Sequence, residues 1–193
     1  MPRKKRKGER AAQRARSNYA WHRRVPWIAI GAAAVVIVVG VLIAQSFGVG
    51  ESAGRYTGPG GGVGNHPREG QPIAYQSYPP TYGPHWPSAT TWGFHNEPVP
   101  DERAVHNLEH GGVVASYNNI PAESLAALQR LLTTYPRDKY DQVKLVIRPY
   151  DRIPAGTIVL TAWNWIDELP AYDEARVTRF LNAHLNKCCE DVP

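Results

Sequence analysis

Hydrophobic and polar positions divide the 193-residue chain into three regimes. From Val25 to Gly50 no charged residue occurs, and an Ala/Val/Ile run extends to Ala44. About 20 helical residues, at ~1.5 Å each, cross a ~30 Å hydrocarbon core, so the stretch 25–49 predicts one transmembrane helix. Trp21 and Trp27 near its start suit the lipid–water boundary. Residues 50–64 follow, with five glycines between Gly58 and Gly64, and read as a flexible linker. Next, residues 66–100 carry eight of the seventeen prolines, interleaved with Tyr75, Tyr78, Tyr82, Trp86, Trp92 and Phe94. That proline density excludes a helix and predicts an ordered loop layer pinned by aromatic rings, with at most short edge strands.

From Asp101 onward the pattern becomes regular. Asp101 suits an N-cap and Gly111 a C-cap for a short helix over Glu102–His110, with Val105 and Leu108 on one face. Val113–Tyr117 reads as a strand. Leu125, Leu128, Leu131 and Leu132 repeat at helical spacing and predict an amphipathic helix over Ala122–Tyr135. Gln142–Arg148 and Thr157–Trp163 are β-branched runs joined by a turn over Pro149–Gly156, and Trp163-Asn164-Trp165 suggests a sheet-edge aromatic cluster. Tyr172–Leu185 closes the chain as a helix with a Val177, Phe180, Leu181, His184 stripe. The fold class expected is α+β: a small mixed sheet with two main helices and the Pro/aromatic loop layer, spanning 65–193. Thioredoxin-like domains share this strand–helix–strand–strand–helix order in their second half, but their C-x-x-C pair is missing here.

Charge changes the picture. The formal net charge is +5, yet residues 1–24 contribute +9, residues 25–50 nothing and residues 51–193 contribute −4. A basic arm before an apolar span stays on the cytoplasmic side, which predicts a single-pass cell-membrane protein with an extracytoplasmic C-terminal domain. The apolar run is longer than the ~7–15 residues of a cleavable signal and no clean cleavage site follows. Arg23-Arg24 fits a twin-arginine signal poorly beside Pro26 and Trp27. The arm orients the chain and meets anionic lipid, so the lipid bilayer is an expected partner and nucleic acid is not.

The candidate chemistry is histidine. Five of seven histidines lie at positions 66, 85, 95, 106 and 110, and neutral imidazole is the commonest metal ligand. His106-Asn107-Leu108-Glu109-His110 has the form H-x-x-E-H; on a helix, His106, Glu109 and His110 share a face. The candidate metal ligands are therefore His66, His85, His106, Glu109 and His110, and convergence of the imidazole nitrogens within about 4–5 Å is the geometric requirement. Imidazole and carboxylate donors suit a transition metal ion such as Zn, Cu or Fe. Inverted zinc metallopeptidases also use H-x-x-E-H, with Glu as general base. Here Gly111-Gly112 stop the helix at once and no second helix offers a distal acidic ligand, which weighs against an enzyme. Histidines that merely pin loops would instead suit an accessory or assembly subunit of a membrane protein complex. Cys188-Cys189 could form a vicinal disulfide, pair between chains or ligate metal, and a copper-handling role stays open. No G-x-S-x-G or phosphate-loop pattern occurs.

Pro79-Pro80-Thr81-Tyr82-Gly83-Pro84-His85, Trp92-Gly93-Phe94-His95 and Val105-His106-Asn107-Leu108-Glu109-His110-Gly111-Gly112-Val113-Val114 together are similar to the motifs of a bacterial single-span membrane protein family catalogued as a domain of unknown function. The likeness covers roughly residues 65–185. It implies an N-terminal anchor and an exported domain, and nothing about activity. His95 stands where that pattern has an aromatic residue, which counts against it as a ligand.

Overall fold

The structure, a computed structural model, describes residues 53–193. The basic arm and the expected membrane span lie outside the described residues. Among the described residues no helix is long and apolar enough to cross a membrane.

Alternation of side chains along strands organises the fold. Six strands form one mixed sheet: β1 (Arg55–Tyr56), β2 (Gly93–Phe94), β3 (Val113–Tyr117), β4 (Leu145–Pro149), β5 (Ile158–Ala162) and β6 (Trp165–Leu169), in the order β1-β6-β5-β3-β4-β2. β3 and β4 run parallel, with Val113 opposite Leu145. Their connection is helix α2 (Ala122–Thr134), because parallel neighbours need a long crossover. β5 is antiparallel to both β3 and β6. The resulting fold is α+β, with the two main helices and the short helix that the pattern predicts; the short one, α1 (Asp101–Glu109), carries the chemistry described below.

Alternate residues of the strands serve two cores. Val113, Ala115, Leu145, Ile147, Ile158, Leu160 and Ala162 pack with Leu128 and Leu131 of α2 and with Val177, Phe180 and Leu181 of α3 (Glu174–His184). Val114 and Val146 belong to the other core, with Ala104, Val105 and Leu108 of α1 and Trp163. Each strand residue alternates in the set it joins, so the sheet is covered on both faces and its central strands read as continuous apolar runs.

Three expectations change. Asp101 does not cap α1: Pro100 holds the N-cap position, and Asp101 is the first helical residue. Its carboxylate is engaged by Arg148 at 2.7 Å and the Tyr150 hydroxyl at 2.9 Å. Trp163-Asn164 is a two-residue hairpin turn into β6, with Asn164 at φ 68°, a conformation Asn tolerates better than most residues. The glycine-rich stretch meets the fold at named points: Arg55–Tyr56 pairs with Ile166 and Trp165, and Gly60 N–H donates to Asn164 Oδ1 at 2.9 Å. A Cβ at Gly62 would lie 2.4 Å from the Gly83 backbone. Absent side chains thus allow a close backbone approach, in addition to chain freedom.

Candidate metal centre

The site begins with α1. Helical spacing of three and four residues puts His106, Glu109 and His110 on one face, and this face is buried because Val105 and Leu108 anchor the opposite side in the core. Gly111, at φ 75°, ends the helix, and its N–H donates to Leu108 O. The loop layer brings the other two histidines. Tyr75 donates its hydroxyl to Pro84 O at 2.8 Å and Trp86 Nε1–H donates to Gln71 O at 2.8 Å, which fixes the segment carrying His85. His66 is held nearby, since His85 N–H donates to Asn65 O and Gly64 N–H donates to Glu109 Oε1 at 2.6 Å.

All five sequence candidates converge. His66, His85 and His106 present ligand atoms within 4.8 Å of one another, and so do His106, Glu109 and His110. The two triads share His106. His66 Nε2 is 3.1 Å from His85 Nε2, His85 Nε2 is 2.9 Å from Glu109 Oε2, and His66 Nε2 is 3.3 Å from that same oxygen. His106 Nε2 is 3.0 Å from His110 Nε2. For comparison, two donors on one tetrahedral ion at ~2.1 Å stand about 3.4 Å apart. Rings of His66 and His106 stack, with centroids 5.0 Å apart and planes within 4°.

Backbone carbonyls set the protonation pattern. A carbonyl can only accept, so the 2.8 Å contact from His85 Nδ1 to Gly83 O and the 2.6 Å contact from His106 Nδ1 to Trp86 O each place the ring proton on Nδ1. In the neutral rings Nε2 is then a bare lone pair. His106 Nε2 then faces another imidazole nitrogen, from which it can accept, and His85 Nε2 faces a carboxylate oxygen, to which it donates only when its ring carries a second proton. Anchoring of the remote ring nitrogen by a backbone carbonyl is the usual outer-sphere arrangement of a metal-binding histidine.

Electrostatics point the same way. Burial pushes the His110 imidazole down to about 4, with His106 adding to the effect. Burial also lowers His106, against the hydrogen bond to Trp86 O. For Glu109, burial acts to raise the carboxyl, but hydrogen bonds from Gly64 and from His85 and His66 outweigh it and hold the group below its ordinary value. The site thus favours neutral His106 and His110 beside an ionised Glu109, the protonation states a metal ion requires. His85 and Glu109 side chains are fully buried, whereas His66 is 33% and His110 18% exposed; the cluster is most open at His66.

His95 is not part of the cluster: its Nε2–H donates to Thr91 O at 2.9 Å. His184 lies apart on α3, where its Nε2–H donates to Ala53 O, and His22 falls outside the described residues. Sequence reasoning missed the backbone acceptors Gly83 O and Trp86 O. The Pro84 and Pro87 that follow them were the available signal, because proline holds the preceding residue extended. It also left open Cys188 and Cys189, which are joined in a disulfide.

No curated protein and no solved structure matches the chain. A family described as "Protein of unknown function (DUF3105)" matches residues 66–191, a range that holds all five candidate ligands and both cysteines. The chain therefore belongs to the DUF3105 family.

Proposed function

We propose that this is a membrane-anchored extracytoplasmic protein whose folded domain binds a transition metal ion through His66, His85, His106, Glu109 and His110. One observation carries the metal reading. The Nδ1 protons of His85 and His106 are committed to Gly83 O and Trp86 O, so bare Nε2 atoms face Glu109 Oε2 and His110 Nε2 at 2.9 and 3.0 Å. When His85 is neutral its Nε2 lone pair faces a carboxylate oxygen, and a cation between the two converts that repulsion into coordination. Imidazole and carboxylate donors suit Zn, Cu or Fe. The anchor and its orientation rest on the uncharged run 25–49 and the +9 arm before it.

Hydrolysis through the H-x-x-E-H motif has weaker support. Glu109 Oε1 accepts from Gly64 N–H, Oε2 faces His85 and His66, and the side chain is fully buried. A general base needs an oxygen free to reach a water beside substrate, and both oxygens here are occupied.

Metal analysis of the full-length, detergent-solubilised chain tests the reading. The expected result is a stoichiometric amount of one transition metal after gel filtration, lost in His106→Ala, which removes the residue common to both triads, and retained in His95→Ala. A folded chain that takes up none of Zn, Cu or Fe at micromolar supply would overturn it.

A further inference from the structure

Beside the histidine cluster lies a cavity of ≈ 370 Å³ walled by His110, Lys144, Cys188, Cys189, Glu190 and Asp191. The tail that carries the two cysteines is laced to the end of α1. Cys189 and Glu190 both donate backbone N–H to Glu109 O, at 2.9 and 3.1 Å, and Asn186 N–H donates to Gly111 O at 2.8 Å. Gly111 permits this approach: a Cβ there would stand 2.4 Å from Cys188 O. Both cysteines and an imidazole of the candidate metal centre thereby line one cavity. His110 Nε2 faces His106 on one side at 3.0 Å and the Glu190 carboxylate on the other at 3.6 Å.

A disulfide between adjacent residues closes no chain loop, so it adds next to nothing through unfolded-chain entropy. Its placement points to chemistry instead. Cys188 is half-buried and packs against the core around Leu108, whereas Cys189 is exposed and open to a reductant. Lys144 is a buried cation on the same cavity, its Nζ donating to His110 O at 3.1 Å and to Val192 O.

We propose that Cys188 and Cys189 are a redox-gated sulfur site: on reduction, their two thiolates and His110 bind a soft cation of the Cu(I) class in this cavity. The proposal goes beyond the histidine-cluster reading and shares only His110 with it. In the disulfide form the sulfurs are poor donors. An external dithiol or phosphine supplies two electrons: the S–S bond breaks, two protons are taken up, and the reductant closes its own disulfide or becomes the phosphine oxide with oxygen from water. Metal binding then releases the thiol protons. Thiolate and imidazole together select Cu(I) over the harder ions that an N/O set accepts.

The test is anaerobic Cu(I) competition against a chromogenic chelator, using the full-length chain before and after phosphine reduction and desalting. Reduction is expected to add one Cu(I) equivalent held at least tenfold more tightly than any in the oxidised chain. Cys188→Ser/Cys189→Ser should abolish the increment. His110→Ala and His110→Gln should weaken it about tenfold, and His95→Ala, outside both sites, should leave it in place. Far-UV circular dichroism monitors folding of each variant. No increment on reduction overturns the proposal, and so does an increment unchanged in both His110 variants, which would mark a bare surface dithiol. Metal uptake by the reduced chain alone would sink the histidine-cluster reading and support this one. Uptake by the oxidised chain with no increment would do the reverse.

Discussion

Each histidine of the cluster is specified by what its second nitrogen touches. Carbonyls of Gly83 and Trp86 orient His85 and His106, while His110 is left to adjust between His106 and Glu190. Burial, with His106 beside it, pushes the His110 pKa down to about 4. An imidazole lowered below its ordinary ~6.5 binds more protons in the unfolded chain, so stability rises with pH across that window. The metal-free protein should therefore lose stability on the order of 3 kcal/mol between about pH 6.5 and pH 4 from this group. Glu109, held below its ordinary value, adds loss of the same sign as pH falls further. Denaturant midpoints at pH 7 and pH 4.5 check this: His110→Gln should flatten the difference, and identical slopes in both proteins would refute it. Three of the candidate ligands were legible because H-x-x-E-H has helical spacing. That His66 and His85, from separate points of an irregular loop layer, complete the set was legible only as composition, since loops have no period from which to compute a meeting point.

Among the elements, α1 depends most on a distant partner. Its first residue, Asp101, accepts from Arg148 of β4 and from Tyr150, and the Arg148 side chain is 1% exposed. Arg148 also donates to Val99 O and Ser116 Oγ, so one guanidinium ties α1, β3 and β4. Removing one partner leaves a buried charge uncompensated, which costs about 3–5 kcal/mol. Asp101→Asn should lower unfolding free energy by about that amount in urea titration, and a loss below 1 kcal/mol would show the pair to be solvent-screened. Helix α2 and strand β3 were readable from leucine spacing and β-branching, and strand β3 has the limits its pattern predicts. Strand β6 was not: Trp165–Leu169 carries Asp167 and Glu168 in its short run, and Asp167 is buried only because Arg176 of α3 meets it. Pairing with β5 overrides a weak local strand signal.

At the scale of the whole molecule, two apolar faces of one sheet explain why a nine-residue helix can hold a buried polar cluster: Val105 and Leu108 anchor α1 on Val114 and Val146, and the loop layer roofs the histidines. The proposed anchoring adds a directional expectation. The full-length chain should sediment with membranes and its domain should be digested by protease added outside intact cells, while a chain lacking 1–49 should stay soluble. A cytosolic, protease-protected domain would refute the orientation. Hydropathy, charge segregation and side-chain periodicity are local quantities, and the sequence by itself determined what depends on them: the uncharged run, the basic arm, the order of most helices and strands, and which residues could ligate a metal. Tertiary structure alone decided that His66 and His85 meet α1, that carbonyls fix two imidazole protons, and that the cysteine pair and His110 line one cavity. Those outcomes arise from contacts between segments tens of residues apart, whose geometry follows from how the sheet, the loop layer and the tail pack together, and no local pattern encodes it.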